Sequence, residues 1–526
     1  MKRETNNESR RAMYRLFPRP ILAPFNIQNS KQRSVGQSSL FHRRTARNHQ
    51  PTTQHRAHAV VRLTEKQIEK AMLSRGGRVA SVISSSPLRR SPLKCSFFWK
   101  HGWLRQFSNA FHPIHGAKDE QPGHTTFKKV QITCLPGLEG VLKDEIAALL
   151  GYSKNRRRHL VNNSGSIVFK GATLDQLLLC HLHLGTATYI YAQIAAFPCR
   201  YLDELVRKTS EIPWSDSLTV NCKVWFKIRS SKSRIFHDQA VKECVQTGIM
   251  RSMKIEKLEE QVDVDSDEGV GILVNVFRDE VTIWMTTSST PLYKRGYREE
   301  FGKAPLREDI VYAMLRTAEW KPVAPGENAK FDALLDPFCG SGTIPIEAAA
   351  IRQGLPPGRL RPAPFWGTKF YQPDKWEKLV GNAVAQADTS PQCQIYASDR
   401  DVGAIEYTQT NAKRAGVSLK ATHAAFSSTP WFDDPSSIPG RLLIASNLPF
   451  GLRVSMSKQT KLHFFQKLAH NINRVFGRDN QPYSAFILLT SKPKTLLYSG
   501  LRTECTPRLK SLLGGIHVEA LFACNK

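Results

Sequence analysis

Regular alternation of apolar and polar positions begins at Lys129 and continues to the end of the chain. Residues 130–134 read as a short strand and Pro136-Gly137 as a turn. Leu138, Val141, Leu142, Ile146 and Leu149 then recur at helical spacing over 138–150. Strand 166–169, helix 174–184 and strand 189–197 complete a small α+β unit. A second unit follows, with a strand over 218–228, a helix over 238–252 and a hairpin pairing 272–277 with 280–286 around Arg278-Asp279. From about Lys303 the pattern becomes that of a doubly wound α/β sheet. Its strands are 333–335, 394–397, 442–446 and 485–489, its helices 343–353, 402–415 and 461–476, and 516–524 is a last strand.

Composition narrows the class. With 41% hydrophobic residues, nine Trp and 26 Phe in 526 residues, the chain can build real cores. No run approaches the roughly 18 apolar residues of a membrane span. The ten cysteines form no Cys-x-x-Cys pair and no Cys/His cluster at ligand spacing, so the sequence predicts neither a disulfide scaffold nor a metal site.

Charge is distributed unevenly. Residues 1–117 hold 22 Lys+Arg against four acids, in a chain whose net charge is +30. From Met72 to Phe107 there is no acid, while Arg75, Arg78, Arg89, Arg90, Lys94, Lys100 and Arg105 punctuate a Ser-rich segment. That is the composition of an organelle transit peptide, and Arg105-Gln106-Phe107-Ser108 resembles a mitochondrial processing site. The sequence thus predicts a disordered basic extension over 1–125 and a mitochondrial matrix location, with the plastid as the alternative and Met72 as a second candidate start beside Met1. A basic tail that clings to RNA is the competing reading.

The strongest chemical signal is Asp336-Pro337-Phe338-Cys339-Gly340-Ser341-Gly342-Thr343, a strand ending in an acid and a glycine turn that opens a helix. Glycines let a backbone approach a ligand, and a helix N-terminus offers free amides to an anion. The spacing fits neither the dinucleotide fingerprint nor a P-loop. Asp399, at the end of the next strand, is placed to hold a ribose, and Asp401 to cap the helix that follows. His423 falls where an adenine contact is expected. Ser446-Asn447-Leu448-Pro449-Phe450-Gly451 sets an apolar strand before an Asn-x-Pro-aromatic turn. The Asn447 side-chain oxygen and the Leu448 carbonyl can accept the two protons of an exocyclic amine, Pro449 shapes the turn, and Phe450 can stack on a flipped base. Candidate RNA contacts are Arg229, Lys232 and Arg234 in a Ser-rich basic loop, and Lys294, Arg295 and Arg298 beside Tyr293 and Tyr297. The loop 356–373, with Arg359, Arg361, Phe365, Trp366 and Lys369, either touches substrate or covers a helix.

Taken together, Lys294-Arg295-Gly296-Tyr297-Arg298, Ala304-Pro305-Leu306-Arg307-Glu308, the glycine turn, Asn447-Leu448-Pro449-Phe450-Gly451 with Leu452-Arg453, and Pro507-Arg508-Leu509-Lys510 resemble the THUMP-domain RNA methyltransferases. That family includes the bacterial ribosomal RNA guanine-N2-methyltransferases. The resemblance runs from about Lys129 to Cys524. It implies a ferredoxin-like domain (126–212), a THUMP domain (213–290), a connection (291–332) and a Rossmann-like class I methyltransferase domain (333–526). It also implies S-adenosylmethionine bound by Asp336, Phe338, Cys339, Gly340, Ser341, Gly342, Thr343, Asp399, His423 and Asn447, and RNA held with the help of Arg453. The implied activity is guanosine N2 methylation of organellar ribosomal RNA. Transfer RNA, a silent RNA-binding or assembly protein of the same fold, and adenine methylation on DNA are the alternatives. Departures from the family pattern are His423, Leu448 where a second Pro is common, and the length of loop 356–373. No oligomeric partner is read from the sequence.

Overall fold

The computed structural model describes residues 126–260, 269–299, 306–323, 328–388, 393–426, 438, 440–449, 458–476 and 484–525. The expected transit segment 72–107, Phe450 and Arg453 lie outside the described residues.

The first half builds one sheet. In chain order its elements are β1 (Thr126–Thr133), α1 (Glu139–Leu149), β2 (Val161–Asn163), β3 (Ser166–Thr173), α2 (Leu174–His183), β4 (Tyr189–Pro198), α3 (Leu202–Ser210), β5 (Val224–Ser231), α4 (Asp238–Met253), β6 (Val270–Phe277) and β7 (Glu280–Thr286). The spatial order is β2-β3-β1-β4-β7-β6-β5. Segments read from sequence as two modules therefore share a sheet. The join is β4, which pairs antiparallel with β1 at one edge and with β7 at the other. Its apolar residues face different cores along its length: Ile190 and Ala192 pack with α1 and α2, whereas Ile194 and Phe197 pack with α3 and α4. Helix α2 starts sharply because Thr173 and Gln176 form a reciprocal capping box. The strand expected from residue 218 begins only at Val224. Leu218 and Cys222 are apolar for another reason, since both are buried beside a turn where Cys222 N–H donates to Thr219 O.

The second half contains α5 (Glu308–Thr317), β8 (Ala333–Asp336), α6 (Thr343–Gln353), α7 (Pro373–Ala385), β9 (Gln394–Asp399), α8 (Val402–Ala415), β10 (Lys420–His423), β11 (Leu442–Asn447), α9 (Lys458–Phe476), β12 (Ala485–Thr490), α10 (Pro493–Leu497), β13 (Thr506–Leu513) and β14 (Ile516–Cys524). Its sheet runs β10-β9-β8-β11-β12-β14-β13, parallel except for β14, which is antiparallel to both of its neighbours. β8 and β11 lie side by side although β9 and β10 separate them in sequence. The strand order reverses there, and in open parallel sheets such a switch point is where ligands bind, beyond the carboxyl ends of the strands.

The loop 356–373 is a strap that binds the two halves. Gly358 N–H donates to Leu182 O at 2.8 Å, Phe365 N–H to Thr287 O at 2.7 Å, and Lys369 N–H to Ser217 O at 3.0 Å. A Cβ on Gly358 would lie 2.5 Å from His181 O, so only glycine permits this approach. Phe365 is 1% exposed and stacks on Phe127 at 5.7 Å. Of the two readings of this loop, the structure assigns Phe365 to packing.

Candidate active site

β8 ends in Asp336, which is buried at the switch point. Its carboxylate accepts from Phe338 N–H at 3.1 Å and from Ser446 Oγ at 2.5 Å, tying the tip of β8 to that of β11. The chain then turns through Gly340 (φ +55°) and Gly342 (φ +85°), both left-handed, and enters α6. A side chain at Gly342 would come within 2.9 Å of Thr408 Cγ2, while the space in front of Gly340 is clear to 4 Å. A ligand can thus approach the backbone closely at Gly340, directly before the N-terminus of α6, the end of a helix that favours an anion.

Neighbouring elements brace the turn. Asp399, at the tip of β9, accepts from Gly340 N–H and from Asp401 N–H, each at 3.0 Å. From α8, Thr408 Oγ1 donates to Gly340 O at 2.9 Å and Asn411 Nδ2 to Ser341 O at 3.1 Å. Asp401 caps α8 through Gly403 N–H, as the sequence suggested. Cys339 lies buried against Thr408, and burial pushes its thiol well above the ordinary range, so it stays protonated and is no nucleophile. Phe338 packs with Phe426 and Phe464 at centroid distances of 5.1 and 5.6 Å. Sequence reasoning missed both partners, as well as Ser446 and Thr408. Ser446 alone carried a signal, as a polar residue inside an apolar strand.

Burial pushes the Asp336 carboxyl up to about 7, and the nearby Asp399 charge adds to the rise. Because the unfolded value is about 3.9, the folded chain retains a proton that the unfolded chain releases over this interval. The stabilisation is full below about pH 4 and is lost as pH rises through about 7. Asp336→Asn should therefore flatten the decline in urea midpoint between pH 5 and pH 8. A variant with the wild-type slope would assign the decline to another group.

Asn447 closes β11. Its side-chain oxygen is buried and has no hydrogen-bond donor among the described residues. Such an atom costs about 1–3 kcal/mol and calls for an explanation. Leu448 is buried, its N–H held by Leu489 O at 3.0 Å, and Pro449 is exposed. His423 is exposed at the end of β10, in register with Asp399, and one ring nitrogen lies 3.0 Å from Arg400 O.

The basic candidates divide into two groups. Arg229, Lys232, Arg234 and Lys294 are exposed. Arg295 is not: at 2% exposure it donates to Leu292 O and Gly185 O and lies 3.5 Å from Glu347. Arg298 donates to Leu306 O and Thr343 Oγ1 and pairs with Glu308 at 3.1 Å. Both were expected to grip RNA. Both instead fasten the residues leading into the glycine turn, because their guanidinium groups satisfy buried carbonyls and carboxylates. Tyr293 is likewise covered by the Arg307 guanidinium, 3.9 Å above its ring.

No group of described residues could hold a metal ion, and no described helix is long and apolar enough to cross a membrane. A sulfonium nucleoside fits the site better. Carboxylates suit its cationic centre and ribose, glycine backbone admits close approach, and the α6 N-terminus suits its carboxylate.

The strand order and this site define a class I methyltransferase whose cofactor is S-adenosylmethionine. Residues 295–506 match the UPF0020, RMKL-like methyltransferase domain. YpsC of Bacillus subtilis strain 168, which goes under an RNA methyltransferase name, is 31% identical over 53% of this chain and 69% of its own length. The ribosomal RNA large subunit methyltransferases K/L of Syntrophotalea carbinolica and Saccharophagus degradans are 28% and 25% identical over 61% and 74% of this chain. The chain spans about half the length of these two, 44% and 50%. Among solved structures, the fold matches SMU.472, a complex with SAH, at TM-score 0.63 and 21% identity, covering 76% of this chain and 98% of that one. It matches TrmN from Thermus thermophilus at TM-score 0.55 and 19% identity, over 76% of this chain and all of that one. The chain belongs to the UPF0020, RMKL-like methyltransferase family.

Proposed function

We propose that this protein methylates the exocyclic N2 amine of a guanosine in organellar ribosomal RNA, in the mitochondrial matrix. The observation that carries the reading is the buried Asn447 oxygen at the tip of β11, without a donor among the described residues and one strand away from the glycine turn. It can accept one amine N–H while the Leu448 carbonyl accepts the other, leaving the nitrogen lone pair directed outward. When bound, S-adenosylmethionine supplies an electrophilic methyl group. The chain contributes orientation and exclusion of water, and Phe450, next in sequence after Pro449, supplies an aromatic face for an extruded base. Ribosomal RNA is favoured by the likeness to the bacterial K/L enzymes, guanosine by the motif resemblance to the guanine-N2-methyltransferases, and the matrix by the acid-free basic segment 72–107.

RNA would be held by the first half of the chain as a ferredoxin-like and THUMP region. Arg229, Lys232 and Arg234 stand exposed around the end of β5. The Arg234 amide donates to Asp279 Oδ1 at 2.8 Å, and the Asp279 amide to Ser233 Oγ at 3.0 Å, so the loop is fixed to the β6–β7 hairpin while its cations face solvent. Reversing Arg229 and Arg234 to Glu should weaken RNA binding by about tenfold or more and lower the salt slope by roughly two ions. A slope equal to wild type in filter-binding titrations would remove this loop from the interface. Methylation of RNA but not of DNA of the same sequence tests the substrate class.

A further inference from the structure

One corner of the first sheet gathers rings and cations far from the strand tips that hold the methyl-transfer site. Three segments meet there: the residues ahead of α3, the loop from β5 to α4, and the turn between β6 and β7. Asp279 links them. Its carboxylate accepts from the Arg234 amide at 2.8 Å and lies 3.6 Å from Arg200 Nε, and its carbonyl accepts from Cys199 N–H at 2.7 Å. Arg234 Nη1 also donates to Tyr201 Oη at 3.3 Å, and Ser231 stands opposite Phe277 in the β5–β6 pairing.

Three aromatic side chains stand out into solvent around this link: Tyr201 is 59% exposed, Phe236 63% and Phe277 47%. Scattered singly, such residues call for no explanation, but three at one corner do. Each has a polar or cationic group beside it. Arg234 reaches Tyr201, the His237 ring lies 4.2 Å from that of Phe236, and the Arg278 guanidinium lies 5.2 Å above Phe277. Lys232, Arg234 and Arg278 are themselves exposed.

The backbone is strained at the same place. Of the six described non-glycine residues at left-handed φ, three belong to this corner: Lys232 (+52°), Arg278 (+52°) and Asp279 (+61°). A two-residue hairpin turn with both φ positive favours Asn-Gly, so stability alone does not account for Arg278-Asp279. Duplex RNA hides its base faces. Exposed rings interleaved with cations match unpaired nucleotides instead, whose bases stack while their phosphates meet the cations. Asp203 and Asp238, in the first turns of α3 and α4, repel phosphate at those helix ends and leave the β5 loop and the hairpin turn to hold the backbone.

We propose that this corner binds a short run of unpaired RNA nucleotides, whose bases stack on Tyr201, Phe236 and Phe277 and whose phosphates meet Lys232, Arg234 and Arg278. The inference rests on the reading that the first half of the chain holds RNA, and it names the form of RNA held there: a single-stranded loop or end rather than a helix.

The test uses the full chain without methyl donor, at salt high enough to suppress binding through phosphates alone. Oligouridine is the unpaired probe, and a blunt RNA duplex of equal length is the comparison. In anisotropy titrations Phe236→Ala and Phe277→Ala should each weaken oligouridine by about fivefold or more and leave duplex affinity within about twofold. The salt slope should stay at its wild-type value, because losing a ring releases no ions. Both side chains are exposed, so the variants should melt with wild type. Phe236→Trp should keep the affinity and Phe236→Leu should lose it, since leucine retains apolar bulk without a ring face. Oligouridine carrying 5-iodouridine should crosslink on irradiation to Tyr201, Phe236 or Phe277. Alanine variants that bind oligouridine as tightly as wild type, an equal loss of duplex affinity, or crosslinks confined to other residues would overturn the proposal. So would a Phe236→Leu variant equal to wild type, which would mark an apolar patch for a protein partner. Methylation is not read in this assay, so a chain that shows ring-dependent binding but methylates no guanosine keeps this inference and loses the catalytic reading.

Discussion

Asn447→Ala is expected to lower single-turnover methyl transfer by about 10²–10³-fold, the usual cost of deleting one aligned polar group in a water-excluded site, while leaving cofactor affinity within about threefold. The asymmetry follows from the structure. The Asn447 oxygen makes no hydrogen bond within the described protein, so its removal takes away an acceptor without orphaning a donor. The turn that faces the cofactor is braced separately, by Asp336, Asp399, Thr408 and Asn411. Asn447→Asp, which keeps an acceptor oxygen, should retain more activity than the alanine variant. Full turnover in the alanine variant would show that another group aligns the amine.

For Asp399→Ala the expected loss lies in binding rather than in chemistry, with cofactor affinity falling by about 10–100-fold, or roughly 1.4–2.8 kcal/mol. Its carboxylate anchors Gly340 N–H and Asp401 N–H, so truncation removes the acid proposed to hold the ribose and loosens the glycine turn together. Asp399→Asn keeps one acceptor oxygen and should fall between. Calorimetric affinity equal to wild type in the alanine variant would contradict the assignment.

What the sequence made legible depended on whether the determining physics was local. Helices α6 and α8 have the expected bounds because both ends carry their own stop signals: Gly342 and Gly354 around α6, Asp401 and Gly416 around α8, with all three glycines in the left-handed region. β10 and β13 escaped notice for the opposite reason. They are edge strands with mostly exposed residues, and little apolar alternation marks them. The joining of two expected modules into one sheet was equally hidden, since the β4–β7 pairing links residues about 90 positions apart and neither strand's pattern names its neighbour.

Charge misled where burial was tertiary. Lys294-Arg295-Gly296-Tyr297-Arg298 reads as a cationic, aromatic surface stripe, yet Arg295 and Tyr297 point inward, toward Glu347. The alternation of exposed and buried positions is present in that segment, but arginine at a buried position obscures it. Asp336 and Asn447 stood out in the sequence by their motifs. Their environments, a carboxyl held up to about 7 and an amide oxygen without a donor among the described residues, emerge only when β8 and β11 are brought together.

The central claim is methyl transfer to guanosine N2 in ribosomal RNA. Its most direct test is nucleoside mass spectrometry after incubating the full chain with trideuteromethyl-labelled S-adenosylmethionine and unmodified mitochondrial ribosomal RNA. The account predicts a labelled N2-methylguanosine peak that vanishes with Asn447→Ala. Label on adenosine N6, or no labelled nucleoside from a protein that demonstrably binds the donor, would contradict it.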